Sequence, residues 1–509
     1  MRKKGWNSHM KKSLVAVGVI VALGAAWTGA SWYTGKQVEA RMDEALQKAN
    51  TKLAEKMPDL GLELQKKDVK RGIFSTDVQL ALTSKLDKKE GIVIASNIEH
   101  GPFPLSDIAK FKFSPKLASI HSELKDGELL KELFEITKNK SLLNVDTRVA
   151  YDGNLSFGIN IIPVDYTTEK GLHWVISGAD ITVDTNKDFS EITSTGKSDE
   201  IKFVQPAQQN TEFKMKNLSF SFNSKKNQFG VYLGDTSSNI DEVSLSGFGE
   251  DMMSINGIKS FSTFTEGEKN NLDGKSSLTI DGIKVKNLDF GSAKFVLAMY
   301  HIDNQAYSKV DRATYDALFK TINSFDIEKY SQITDAALME NLPALLQHNP
   351  TFTLETLSFK NSKGESTANF TTTLNNLPDD FSKLQNSNQE EIIRSLIKKF
   401  SLDIKLSKPM LTESIALSAM VRGEDRESAD ATGKSVMQMI EAQATALNLF
   451  THTDDSIDMN LNYADDKVKF NGEEFNLHQF LLDHNLIDSY DDADEQNQHD
   501  DEASLPAAE

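Results

Sequence analysis

The sequence predicts an α+β protein: a single N-terminal transmembrane helix, then a large, mainly antiparallel β-sheet region, then a helix-rich C-terminal third. Three observations predict it. Residues 13–33 form one apolar run with no charge inside it. Between residues 61 and 301, apolar and polar residues alternate with period two, and Asn, Asp, Gly and Ser punctuate the runs. Beyond residue 304 the apolar spacing changes to three and four over long stretches, the mark of helices.

Composition bounds the rest. A chain of 509 residues is expected to form two to four units, at roughly 100–200 residues per domain. Hydrophobic residues are 39% and charged residues 26%, which excludes wholesale disorder. The net charge of −19 argues against nucleic acid as a partner, because phosphate contacts need clustered Lys and Arg. The absence of cysteine excludes disulfides, thiolate zinc sites and a Cys nucleophile.

The apolar run is expected to be a membrane anchor over residues 13–35, behind a cytoplasmic N-terminus of residues 1–12. Its 21 residues span about 30 Å as a helix, the thickness of a hydrocarbon core. Leu14, Val17, Ile20 and Leu23 supply the body, and Trp27, Trp32 and Tyr33 an aromatic interfacial end. A cleaved signal peptide is the alternative, with Thr28-Gly29-Ala30 as the cleavage site. The run is longer than such a segment needs and its aromatics continue past that site, so the retained anchor is preferred. Arg2, Lys3, Lys4, Lys11 and Lys12 precede it, whereas acids mix with bases after it, which places the N-terminus inside and the bulk outside. Gly18, Ala22, Ala26 and Gly29 are small residues at spacings that let two helices meet, hence a homo-oligomer; the simpler account is that small residues are common in anchors. The nine residues before Met10 are expected to be dispensable.

A stalk over residues 36–58 follows. Val38, Met42, Ala45, Leu46, Ala49 and Leu53 form one stripe on a helix over 37–56, and Met57-Pro58 ends it. The β-rich region covers 59–303. Val78, Leu80 and Leu82 alternate, as do Val145, Thr147 and Val149; Asp152-Gly153 then signals a hairpin into Leu155, Phe157 and Ile159. Residues 172–183 read as one strand, and 129–137 as a short helix. The mixed region covers 304–487: a helix over 305–347 that Pro343 interrupts, strands over 351–359, 366–374 and 402–406, and a capping box from Ser387 to Glu390. A helix over 427–450 is weakened by Gly433, and a hairpin turns at Asp465-Asp466 before a last helix over 475–487. Residues 488–509 read as an acidic disordered tail. Short likenesses among 216–220, 286–290 and 356–359 suggest repeated sheet units, although strand chemistry alone could produce them.

Chemistry is harder to find. Gly196-Lys197-Ser198, Gly274-Lys275-Ser276 and Gly433-Lys434-Ser435 lack the glycine a phosphate loop needs five residues earlier. His478 and His484 are six apart, on different faces of a helix, and make a poor chelate. No metal, cofactor or catalytic residue is expected. Two glycine-bearing stretches stand out: Arg71, Gly72 and Phe74 before a strand, and His100, Gly101, Pro102, Phe103 and Pro104 after one. The plain reading is turn chemistry, with prolines stiffening the bend and phenylalanines plugging the core.

These stretches carry a likeness. The chain resembles the YdgA-like family of bacterial envelope proteins in MKKSLVAVGVIVALGAAWTGASWYTGK from Met10, RGIFS at Arg71, HGPFPL at His100, LASI at Leu117, KNSKGES at Lys360 and NYADDKVKFNG at Asn462. The resemblance implies a single-pass inner-membrane protein with its bulk in the periplasm and no assigned activity. A non-enzymatic protein holding lipid or another hydrophobic ligand on the apolar face of a long sheet is the first functional expectation. A self-associating scaffold is the alternative, and an enzyme the third. Whether that face is open or covered is the deciding observation.

Overall fold

The computed structural model describes residues 6–85, 91–205, 210–321, 326–375, 387–484 and 486–487, with side chains from Ala25 onward. The acidic tail from residue 488 lies outside the described residues. The chain divides into two compact units, one of residues 1–250 with 308–337, the other of 251–307 with 338–509.

The first unit begins with one uninterrupted helix, α1 (Trp6–Lys56). Anchor and stalk were expected as separate pieces. They are one rod, and Gly35 at the junction is buried against the protein. Pro58 stops the rod. The sheet that follows runs β1 (Leu62–Arg71), β2 (Ser75–Ser84), β3 (Ile92–His100), then, after the short α2 (Leu105–Ala109), β4 (Ala118–Leu124). Beyond α3 (Lys131–Ile136) come β5 (Leu143–Val149), β6 (Leu155–Ile161), β7 (Val164–Thr167), β8 (His173–Ile176), β9 (Ala179–Thr185), β10 (Glu191–Gln205), β11 (Thr211–Lys226) and β12 (Tyr232–Gly247).

Every pairing is antiparallel, in the order β1-β2-β3-β4-β5-β6-β9-β10-β11-β12, with the β7–β8 hairpin on the far end of β10. The Asp152-Gly153 turn joins β5 to β6 as expected, with Gly153 at φ +92°. The run 172–183 is two strands, because Gly178 takes φ +90° and breaks it. The outer face is polar. Thr182 and Thr195 hydroxyls are 2.7 Å apart, the Asn160 amide donates to Asp180 at 2.9 Å, and Lys225 pairs with Glu191 at 2.7 Å.

The second unit carries β13 (Glu250–Glu266), β14 (Asn271–Val285) and β15 (Leu288–Asp303). Helices α4 (Asn304–Thr321) and α5 (Ile327–Leu345) follow, and their residues fall partly in each unit. Pro343 does not interrupt α5; it sits in the last turn. Next come β16 (Thr351–Asn361), β17 (Gly364–Leu374), α6 (Gln389–Leu396) and β18 (Ile397–Ser407). The cap of α6 is Asn388, whose side chain accepts from the Glu391 amide, one residue past the expected Ser387.

Helices α7 (Lys408–Val421), unforeseen from sequence, and α8 (Arg426–Leu447) form a hairpin. Gly433 is their contact point: a Cβ there would lie 2.6 Å from the Thr412 carbonyl oxygen. Its role is close approach, not weakness. The chain closes with β19 (Thr451–His452), β20 (Ser456–Ala464), β21 (Lys467–Phe470), β22 (Glu473–Asn476) and α9 (Leu477–Asp483). Tyr463, Val468, Phe470, Leu477, Phe480 and Leu481 make a core there.

Asn217 and Asn287 of the suggested repeat both take a left-handed φ, +52° and +64°, but Asn217 does so inside β11 whereas Lys286 and Asn287 form the turn between β14 and β15.

Candidate functional site

The two glycine-bearing stretches come together around α1. Loop 72–74 joins β1 to β2, and residues 100–104 leave the end of β3, so strand pairing puts them side by side; the His100 amide donates to the Phe74 carbonyl at 2.8 Å. Both receive the helix. The Thr34 hydroxyl donates to the Gly101 carbonyl at 2.7 Å, and the Trp27 indole N–H donates to the Phe103 carbonyl at 3.2 Å. The Trp27 ring lies 5.0 Å from that of Phe74. Gly35 sits on the His100 ring, with no room for a Cβ between them. Arg71 donates to the Trp32 carbonyl at 3.0 Å, pairs with Glu39 at 2.9 Å and lies over the Trp32 ring at 5.8 Å.

His100 is the buried centre of this clasp, 1% exposed. Its Nδ1 is 3.0 Å from the Ile73 carbonyl, which can only accept, so Nδ1 carries the proton and Nε2 accepts from the Thr76 hydroxyl at 2.8 Å. Burial holds its pKa below the usual imidazole value; the Ile73 carbonyl opposes this and the Arg71 charge adds to it. Pro104 is fully buried, and Gly101-Pro102 is a cis bond. Gly72 donates to the Ser75 carbonyl at 2.7 Å and closes its turn.

Beyond the clasp, α1 lies over the apolar face of the sheet and leaves an open cleft of about 460 Å³ between them. The expected stripe lines it, with Val38, Met42, Ala45, Leu46 and Ala49 facing Val78, Leu80, Ile98, Ala118, Ile120 and Val149. Arg41 is the one charged residue of the lining. Such a volume is in the range of small-molecule sites, about 300–1,000 Å³.

The same face continues past the helix. Directly opposed residues of antiparallel strands share a face. Register therefore carries Ile98 to Ile120, Thr147, Phe157, Val183, Ser194 and Phe222, and carries Ser96 to Ser122, Val145, Ile159, Ile181, Gly196 and Phe220. The apolar members on β6, β9 and β11 are half-buried, not core. The face is covered under α1 and partly open beyond it.

Of the expected anchor residues, Trp32 and Tyr33 are exposed, whereas Trp27 is turned onto Phe74 and Phe103. Ala26 is exposed and Gly29 has open space around it. Leu14, Val17, Gly18, Ile20, Ala22 and Leu23 lie ahead of the described side chains, and among the described residues no helix is long and apolar enough to cross a membrane. Thr34, Gly35 and Thr76, which sequence reasoning passed over, complete the clasp.

The other stretches that the sequence singled out build no site among the described residues. Gly196, Gly274 and Gly433 are interior to β10, β14 and α8, not in loops. His478 pairs with Glu390 at 2.8 Å, and His484 stacks among Phe470, Phe475 and Phe480. Among the described residues there is no group of three or more His, Asp or Glu placed to hold a metal ion.

A long antiparallel sheet with one apolar face, clasped to a single long N-terminal helix, defines the class of protein. The chain belongs to the family described as "Bacterial protein of unknown function (DUF945)", whose model matches residues 10–478. It is similar to Protein YdgA of Escherichia coli strain K12, 29% identical over 488 residues that cover 93% of this chain and 96% of that protein. It is also similar to Uncharacterized protein YihF of the same organism, 25% identical over 485 residues, covering 92% and 97%. An uncharacterized protein of Haemophilus influenzae is 24% identical over 315 residues, 59% of this chain and 85% of its own. No solved structure matches.

Proposed function

We propose that this is a non-enzymatic envelope protein that holds an acyl-chain ligand on the apolar face of its first sheet. In this reading residues 13–33 anchor it in the bacterial inner membrane, N-terminus inside, with both units in the periplasm. One observation carries the ligand assignment: the face lining the 460 Å³ cavity runs on, half-exposed, through Phe157, Ile159, Ile181, Val183, Phe220 and Phe222. A cavity continuous with such a strip suits a chain longer than itself. Arg41 at the lining suits an anionic head, and the bilayer that would hold α1 is the nearest source of both.

The test is lipid analysis of the purified full-length protein. Acyl lipid retained near one per chain, and lost in an Ile159→Asp/Phe220→Asp variant that keeps its circular dichroism, is the expected result. Protein free of lipid after mild extraction overturns the reading. Alkaline phosphatase fused after residue 487 should be active if the units are periplasmic.

A further inference from the structure

Residues 103–115 leave the sheet and return to it at the foot of the clasp. The Lys116 amide donates to the Pro102 carbonyl at 3.0 Å, and the Gly101 amide to the Leu117 carbonyl at 2.8 Å. The excursion starts beside α1, where Gly101 meets Thr34 at the end of the apolar run and Phe103 meets Trp27 within it, and Ser106 then donates back to the Glu99 carboxylate of the sheet at 2.9 Å. Its base is fixed by Asp107, which is 3% exposed, pairs with Lys116 at 2.8 Å and whose carbonyl accepts from the Lys112 amide at 2.8 Å.

At the tip stand Lys110, Phe111, Lys112 and Phe113, all exposed. Phe111 is 85% exposed, the most of any large hydrophobic among the described residues, and Phe113 is 61% exposed. Phe111 also takes φ +56°, a left-handed conformation that bulky residues avoid, so a built loop holds this ring in water. Leu105, earlier in the same excursion, is exposed as well.

We propose that this loop is a bilayer contact: Phe111 and Phe113 enter the acyl boundary while Lys110 and Lys112 meet anionic headgroups. Alternating cations and aromatics at the end of a helix leading into a membrane fit an interfacial surface. The inference rests on the membrane reading of α1. It adds a second point of contact between the first unit and the lipid.

The chain has no cysteine, so Phe113→Cys offers a unique site for an environment-sensitive nitrobenzoxadiazole probe. The full-length protein would be placed in phosphatidylcholine/phosphatidylglycerol vesicles, with Phe111→Cys as a second site and Thr195→Cys on the polar outer face as control. The expected result is emission severalfold brighter and blue-shifted relative to the control, quenched by lipid-borne nitroxide and weakened by Lys110→Glu/Lys112→Glu. Emission matching the control overturns the proposal. A bright probe that lipid nitroxide fails to quench also overturns it and assigns the loop to a protein partner. Carbonate extraction of the same vesicles reads the anchor separately: a retained chain with a control-like probe loses the loop contact alone, whereas a released chain loses the anchor.

Discussion

Gly35 of α1 abuts the ring of His100, where a Cβ would run into Cε1, and both are buried. This contact sets how closely the helix approaches the sheet, and every other bond of the clasp depends on that distance.

Gly35→Leu should force α1 off the His100 ring. Overpacking a well-filled contact costs about 1–3 kcal/mol, and here the Thr34 and Trp27 bonds would stretch with it. Limited proteolysis should cut between α1 and β1 sooner in this variant, while Gly29→Leu, which meets open space, leaves the pattern unchanged.

Trp27→Ala should loosen the same end more mildly, by about 2 kcal/mol from the lost ring contact and indole bond. Hydrogen exchange should rise in residues 72–75 and 100–104 while β10–β12 stay protected.

The clasp should weaken as pH falls. A histidine whose folded pKa is lowered binds its proton more readily when unfolded, so its stabilisation is complete above the ordinary value of about 6.5 and is lost as pH drops below that toward the lowered folded value. Thermal unfolding of the first unit should fall between neutral and mildly acidic pH. His100→Gln should flatten that slope, at a general loss of stability from the Thr76 and Ile73 bonds.

Filling the cavity separates ligand from fold. Ala49→Phe, at a half-buried position of the stripe, or Leu46→Phe adds volume to the cleft between α1 and the sheet. Co-purified lipid should drop severalfold while the melting temperature holds or rises, because an added ring fills an existing void. Lipid unchanged in both variants would place any ligand elsewhere on the sheet.

In the second unit, Asn361 of the KNSKGES stretch donates to the Met410 carbonyl at 3.0 Å and the Ser414 hydroxyl at 3.1 Å, pinning α7 to the β16–β17 turn. Asn361→Ala should cost about 1–3 kcal/mol, as removal of a buried donor set does, and lower the unfolding temperature of that unit.

Much of this was legible in the chain. Period-two alternation marked most strands, Asp152-Gly153 marked its hairpin, and the Val38–Ala49 stripe marked the helix face that now lines the cavity. What local patterns leave out is set by neighbours distant in sequence: Gly433, read as a weak helix start, is fixed by Thr412, and Gly35, passed over, by His100. The helix α7 escaped notice because its apolar residues point in several directions, against both α8 and the strands.

By itself the sequence determined most of the strands, their order and the apolar run at the front, because backbone periodicity and charge asymmetry are local properties. Tertiary structure alone decided what the glycine-bearing stretches are for. RGIFS and HGPFPL read as turns, and turns they are; but strand pairing sets them side by side, and only then do a carbonyl at Gly101, a ring at His100 and a guanidinium at Arg71 converge on one helix. The openness of the sheet was decided there too, since coverage depends on where a rigid rod is clasped and where it ends.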